Sequence, residues 1–88
     1  GSAGAADAAF VLGRMDDDAG NAVTALVWYE RYLAEAPSGH FVAEAYGRRM
    51  LALRKTGNRS ESRVAAQEYL SRFPNGPYGS VAQELSAP

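Results

Sequence analysis

Apolar residues in this chain return every three or four positions and never alternate singly with polar ones over a useful length. Between Asn21 and Pro37, one stripe is formed by Ala22, Ala25, Leu26, Tyr29, Tyr32 and Leu33. Val23, Val27 and Trp28 broaden it, as expected of a helix with neighbours on two sides. Gly and Pro set the breaks. Gly20 and Gly57 suit the left-handed residue that ends a helix, and Asn21 and Asn58 follow as natural N-caps. Glu61, three residues after Asn58, completes the pattern of a capping box, and Pro37 and Pro74 forbid continuation. The pattern predicts five helices over 5–17, 21–35, 40–55, 59–72 and 78–86, with no strand. The expected class is all-α.

The chain also repeats itself. "YERYLAEAPSG" from Tyr29 and "AQEYLSRFPNG" from Ala66 share a phrase, and the copies stand 37 positions apart. The same shift lays Gly20-Asn21 on Gly57-Asn58, Tyr32 on Tyr69, Leu33 on Leu70, Pro37 on Pro74, Gly39 on Gly76 and Ala45 on Ala82. Phe41 meets Tyr78, another aromatic. Breakers and face residues coincide together, which is the mark of a tandem helix–turn–helix.

These residues resemble tetratricopeptide repeats. Leu12-Gly13, Gly20, Ala25, Tyr29, Tyr32 and Pro37 follow that family's order, and Tyr46, Leu53, Gly57, Ser62, Tyr69 and Pro74 follow it again. Arg49 and Met50 depart from it where Leu-Gly is usual, and Asp16 departs where an aromatic is usual. The resemblance implies a right-handed α–α superhelix. Repeat one would span about 5–38, repeat two about 39–75 and a capping helix about 77–86, all within a single domain over 5–88. The family's usual period is about 34 residues. The longer period here resembles the variant found in bacterial envelope proteins, such as the lipoprotein of outer-membrane β-barrel assembly and the coordinator of the Tol–Pal system. It therefore favours the periplasm or cell envelope over the cytoplasm. Similar pairs occur as tails of anti-sigma-type signalling proteins.

Composition narrows the class of partner. Nine Lys and Arg against ten Asp and Glu give a net charge of −1, which speaks against nucleic acid. No apolar run approaches the roughly 18 residues of a membrane span, so no direct membrane insertion is expected. With no Cys there is no disulfide, no thiol nucleophile and no Cys-based zinc site. Gly1 and Ser2, with the small residues after them, read as a cloning remnant and a flexible lead-in over 1–4.

The usual constellations of chemistry fail on spacing. His40 with Glu44 one turn later offers two donors where zinc takes three or four, so His40 reads as a residue of the helix start. Asp16–Asp18 lacks the Gly and the closing Glu of a calcium loop. Nothing places Ser60 or Ser62 beside His40, there is no Gly-rich phosphate loop, and the Asn58-Arg59-Ser60 triplet already has its Asn in a capping role. No metal, cofactor or catalytic residue is expected, and the chain does not read as an enzyme.

What remains is a non-enzymatic adaptor for another protein or peptide. By resemblance, the concave groove falls on Phe10, Arg14, Asp17 and Asp18 and on Glu44, Gly47, Arg48, Leu51, Arg54 and Lys55. Phe10 and Leu51 would give apolar contact, and Arg48 and Arg54 charge complementarity to an acidic or amphipathic partner. The family's carboxylate clamp is excluded, since its slots hold Phe10, Arg14, Gly47 and Leu51. Two alternatives stand beside the adaptor. One is a structural or oligomerisation module, with Trp28, Tyr78 and Leu85 in homo-oligomer or parent-chain contacts, since stacked repeats usually need three units. The other is a regulatory tail of a signalling protein.

Overall fold

A computed structural model describes residues 3–88 and shows five helices. They are α1 (Ala3–Asp18), α2 (Ala22–Glu35), α3 (Val42–Lys55), α4 (Arg59–Arg72) and α5 (Gly79–Ser86). The described residues form no strand, and the all-α expectation holds. Gly1 and Ser2 lie outside the described residues. Ala3 and Gly4, expected in the lead-in, belong to α1. Each helix packs chiefly on the next in sequence, so two antiparallel pairs and a closing helix form a slab of 39 × 26 × 18 Å.

The turns repeat as the sequence does. Gly20 and Gly57 sit at φ of 83° and 81°, and each closes its helix with the same pair of backbone bonds. Gly20 N–H donates to the Asp17 carbonyl and Asn21 N–H to that of Asp16, while Gly57 and Asn58 do the same to Arg54 and Leu53. The caps differ. The Asn58 side chain accepts from Glu61 N–H at 3.2 Å, whereas Asn21 makes no side-chain cap bond.

The shared "YL…P.G" phrase has a mechanical role. Tyr32 is fully buried, and its hydroxyl accepts the backbone N–H of Phe41 at 2.8 Å. Tyr69, equally buried, accepts that of Tyr78 at 3.1 Å. Each bond satisfies a donor at a helix start that has no partner within the helix. Gly39 and Gly76 make it possible, since a Cβ at either would collide with the tyrosine hydroxyl. Consequently α3 begins at Val42, and His40 is an exposed residue of the preceding turn rather than of the helix.

Two core clusters result, one per repeat. The first gathers Ala6, Phe10, Ala25, Tyr29, Tyr32 and Ala45, and the second gathers Met50, Leu53, Ala65, Ala66, Tyr69 and Ala82. The departure at Met50 is explained here. The Tyr29 ring lies so close to Gly13 that a Cβ there would stand 2.6 Å from it. Thirty-seven positions on, Met50 replaces the glycine and Ala66 replaces the tyrosine. The large side chain has moved from one helix of the pair to the other, and the space stays filled.

Candidate functional site

A polar network crosses one edge of the stack. α1 ends in Asp16, Asp17 and Asp18, acidic residues where the helix dipole favours cations, and the C-terminal half of α3 supplies cations in return. The Asp17 side chain is only 10% exposed. Its Oδ2 accepts from the Tyr29 hydroxyl at 2.7 Å and pairs with Arg48 Nη1 at 3.4 Å, while Oδ1 faces Lys55 Nζ at 3.5 Å. On its other side, Arg48 Nε lies 3.3 Å from Glu44 Oε2 without the alignment of a hydrogen bond. The Tyr78 hydroxyl also donates to that Glu44 oxygen. The line Lys55, Asp17, Arg48, Glu44, Tyr78 thus ties α1, α3 and the start of α5 together.

Both tyrosines keep their protons well into alkali. Burial, and then the bond to Asp17, drives the Tyr29 hydroxyl far above its ordinary range. Burial, and then the bond to Glu44, pushes Tyr78 up to about 12. For Arg48, burial opposes the charge, but the oxygens of Tyr29, Tyr78 and Glu44 outweigh it and raise the pKa. These are donors held in place by acceptors, and the network has a structural office.

The expected groove residues therefore separate into distinct environments. Phe10, expected to offer apolar contact, is a correction: it is 2% exposed and stacks on Phe41 with centroids 4.5 Å apart and planes 2° apart. Small alanines around it leave room for the ring inside the core. Arg48, expected to meet a partner's charge, is already engaged by Asp17 and Glu44. Leu51 is half-buried against the second cluster. Arg54 takes no part in that network and lines a pocket with residues of α4 and α5. Among residues considered for self-association, Tyr78 lies over Gly47, which leaves room for its ring, and Leu85 packs on the second cluster. Trp28 is half-buried against the first cluster, with the Arg31 guanidinium 5.7 Å above its ring.

Two concavities flank the network. A cleft of about 230 Å³ lies between α1 and the turn before α3, lined by Phe10, Val11, Arg14, Met15, Asp18 and Phe41. Val11 and Met15 are 50% and 61% exposed there, a pair that the sequence reading passed over. Their signal was legible, since they lie on the side of α1 away from Ala6, Ala9 and Gly13. The second concavity, of about 300 Å³, is lined by Arg54, Arg59, Ser62, Glu84, Leu85 and Ala87. Ser62 is 3% exposed and its hydroxyl has no partner, a deficit of about 1–3 kcal/mol if nothing enters.

Among the described residues, no group of three or more His, Asp or Glu is placed to hold a metal ion, and no helix is long and apolar enough to cross a membrane. Comparison with family models, curated proteins and solved structures finds no match to this chain.

Proposed function

We propose that this chain is a non-enzymatic interaction module of tetratricopeptide type, which receives a peptide or partner helix in the cleft beside α1. The observation that carries the proposal is the cleft itself. Val11 and Met15 stand exposed at a cleft that the stacked Phe10 and Phe41 also line, together with Arg14 and Asp18. An apolar floor with a charged rim suits one or two apolar anchor side chains and a polar surround. Met adds a side chain that adapts its shape to what it meets. The longer repeat period favours a bacterial multi-protein assembly at the cell envelope as the setting. The contact would fall on Val11, Arg14 and Met15 rather than on Arg48, which holds the stack together.

The test is affinity capture from lysate of the source cells, comparing the natural chain with Val11→Ser/Met15→Ser. Both positions are exposed, so the variant keeps its fold within about 0.5 kcal/mol per site. A partner captured by the first and lost by the second supports the proposal. A partner held equally by both removes the cleft from it. Capture of the chain alone, with concentration-dependent sedimentation, would replace it with self-association.

A further inference from the structure

The two repeats build the same corner in opposite ways. In the first, the Asp17 carboxylate sits among one guanidinium (Arg48), one ammonium (Lys55) and one hydroxyl (Tyr29). Moved on by 37, Asp17 becomes Arg54, Arg48 becomes Leu85, Tyr29 becomes Ala66 and Ala25 becomes Ser62. The acid, its guanidinium partner and the tyrosine are gone from the second corner, and a pocket of about 300 Å³ stands there. Arg54 and Arg59 line it without an ion pair or side-chain hydrogen bond among the described residues, and Ser62 adds a buried hydroxyl with no partner. Two cations and a hydroxyl are the kind of donor set that holds Asp17 in the first corner, and Glu84, the carboxylate in this lining, pairs with neither cation among the described residues.

We infer that the second corner is a binding pocket for a carboxylate group supplied from outside the chain. Guanidinium groups match a planar carboxylate by their forked geometry, and a pocket of this size admits a short acid rather than a large ligand. Leu85 and Ala87 give an apolar wall for the methylenes that carry the acid. Glu84, also unpaired among the described residues, lines the same pocket and adds one negative charge, which favours a monoanion over a doubly charged phosphate. The pocket involves none of the cleft residues beside α1, so it stands or falls apart from the proposed function.

The experiment is a ¹H–¹⁵N NMR titration of the 88-residue chain. The probes are sodium butyrate, N-acetyl-glutamate α-amide and inorganic phosphate, each against sodium chloride at equal ionic strength. Saturable shifts at the Arg54 and Arg59 side-chain N–H groups and the Ser62 amide are expected with both carboxylates. Affinity should fall roughly tenfold or more in Arg54→Gln/Arg59→Gln. Glu84→Gln should strengthen it by about twofold to fivefold, and serves as a second handle if the double variant misfolds. Tighter binding of the blocked glutamate than of butyrate would mark a peptide-borne acid as the source, and the reverse a free acid. Shifts that merely follow ionic strength, affinity unchanged in both variants, or phosphate preferred over carboxylate would each overturn the inference.

Discussion

The first and second repeats carry the same tyrosine, the same glycine and the same turn, yet fill the space between them with different side chains. Tyr32 with Gly39 and Tyr69 with Gly76 form identical clasps on the next helix start. Around the clasps the large residues change sides. Gly13 with Tyr29 becomes Met50 with Ala66, and Phe10 stacked on Phe41 becomes Gly47 beneath Tyr78. Repetition in this chain therefore marks the frame, while departures from it mark complementary pairs. Only the corner at Asp17 and Arg54 breaks that rule. There the exchange was not compensated, and a pocket is left.

The largest effect should fall on the frame. Tyr32→Ala and Tyr69→Ala each remove a fully buried ring and its hydroxyl, at about 3–5 kcal/mol. Chemical denaturation should find the two losses alike, and a large disparity would mean that the clasps are not equivalent. The corners should differ by contrast. Asp17→Asn strips charge from a side chain that serves Tyr29, Arg48 and Lys55, and should cost about 1.5–3 kcal/mol by the same assay. Arg54→Gln at the equivalent position touches an exposed, unpaired side chain and should stay within about 0.5 kcal/mol.

Alkali offers a third comparison. Tyr78 is raised from an ordinary value near 10 to about 12, and Tyr29 is raised as well. A raised folded-state pKa means that the unfolded chain gives up its proton first. The stabilisation is fully present below pH of about 10 and is lost as pH rises toward 12. Denaturant midpoints should fall across that window, and Tyr78→Phe should flatten part of the fall. In absorbance titration, Tyr29 and Tyr78 should ionise late. The turns give a further comparison. Gly20→Ala and Gly57→Ala meet open space but must hold positive φ, so each should lose about 1–2 kcal/mol in thermal unfolding.

Much of the architecture was legible because helix spacing and Gly–Pro punctuation act over a few residues. α2, α4 and the ends of α1 and α3 fall within a residue or so of their expected limits. The clasp was visible as a recurring Tyr and Gly, but its bond, spanning nine residues through a side chain, was not. The site was harder to see. Asp17 meets Arg48 and Lys55 across 31 and 38 positions, and no local pattern reports such a pairing. Phe10 was assigned to the groove by resemblance, whereas the alanines around it decide that its ring goes inside. Arg54 was grouped with Arg48 on one face, although sliding the sequence by 37 already showed it in the place of Asp17.

The exchange of Gly13/Tyr29 for Met50/Ala66 is the claim from which the rest follows, and a double-mutant cycle tests it directly. Gly13→Met alone should overpack against the Tyr29 ring, and Tyr29→Ala alone should open a cavity and take one of three partners from Asp17. Their combination installs the second repeat's pair in the first. Denaturant unfolding of the four proteins should show the double variant more stable than the sum of the single losses by about 0.5–3 kcal/mol. Losses that simply add, or compound, would contradict complementary packing of the two repeats.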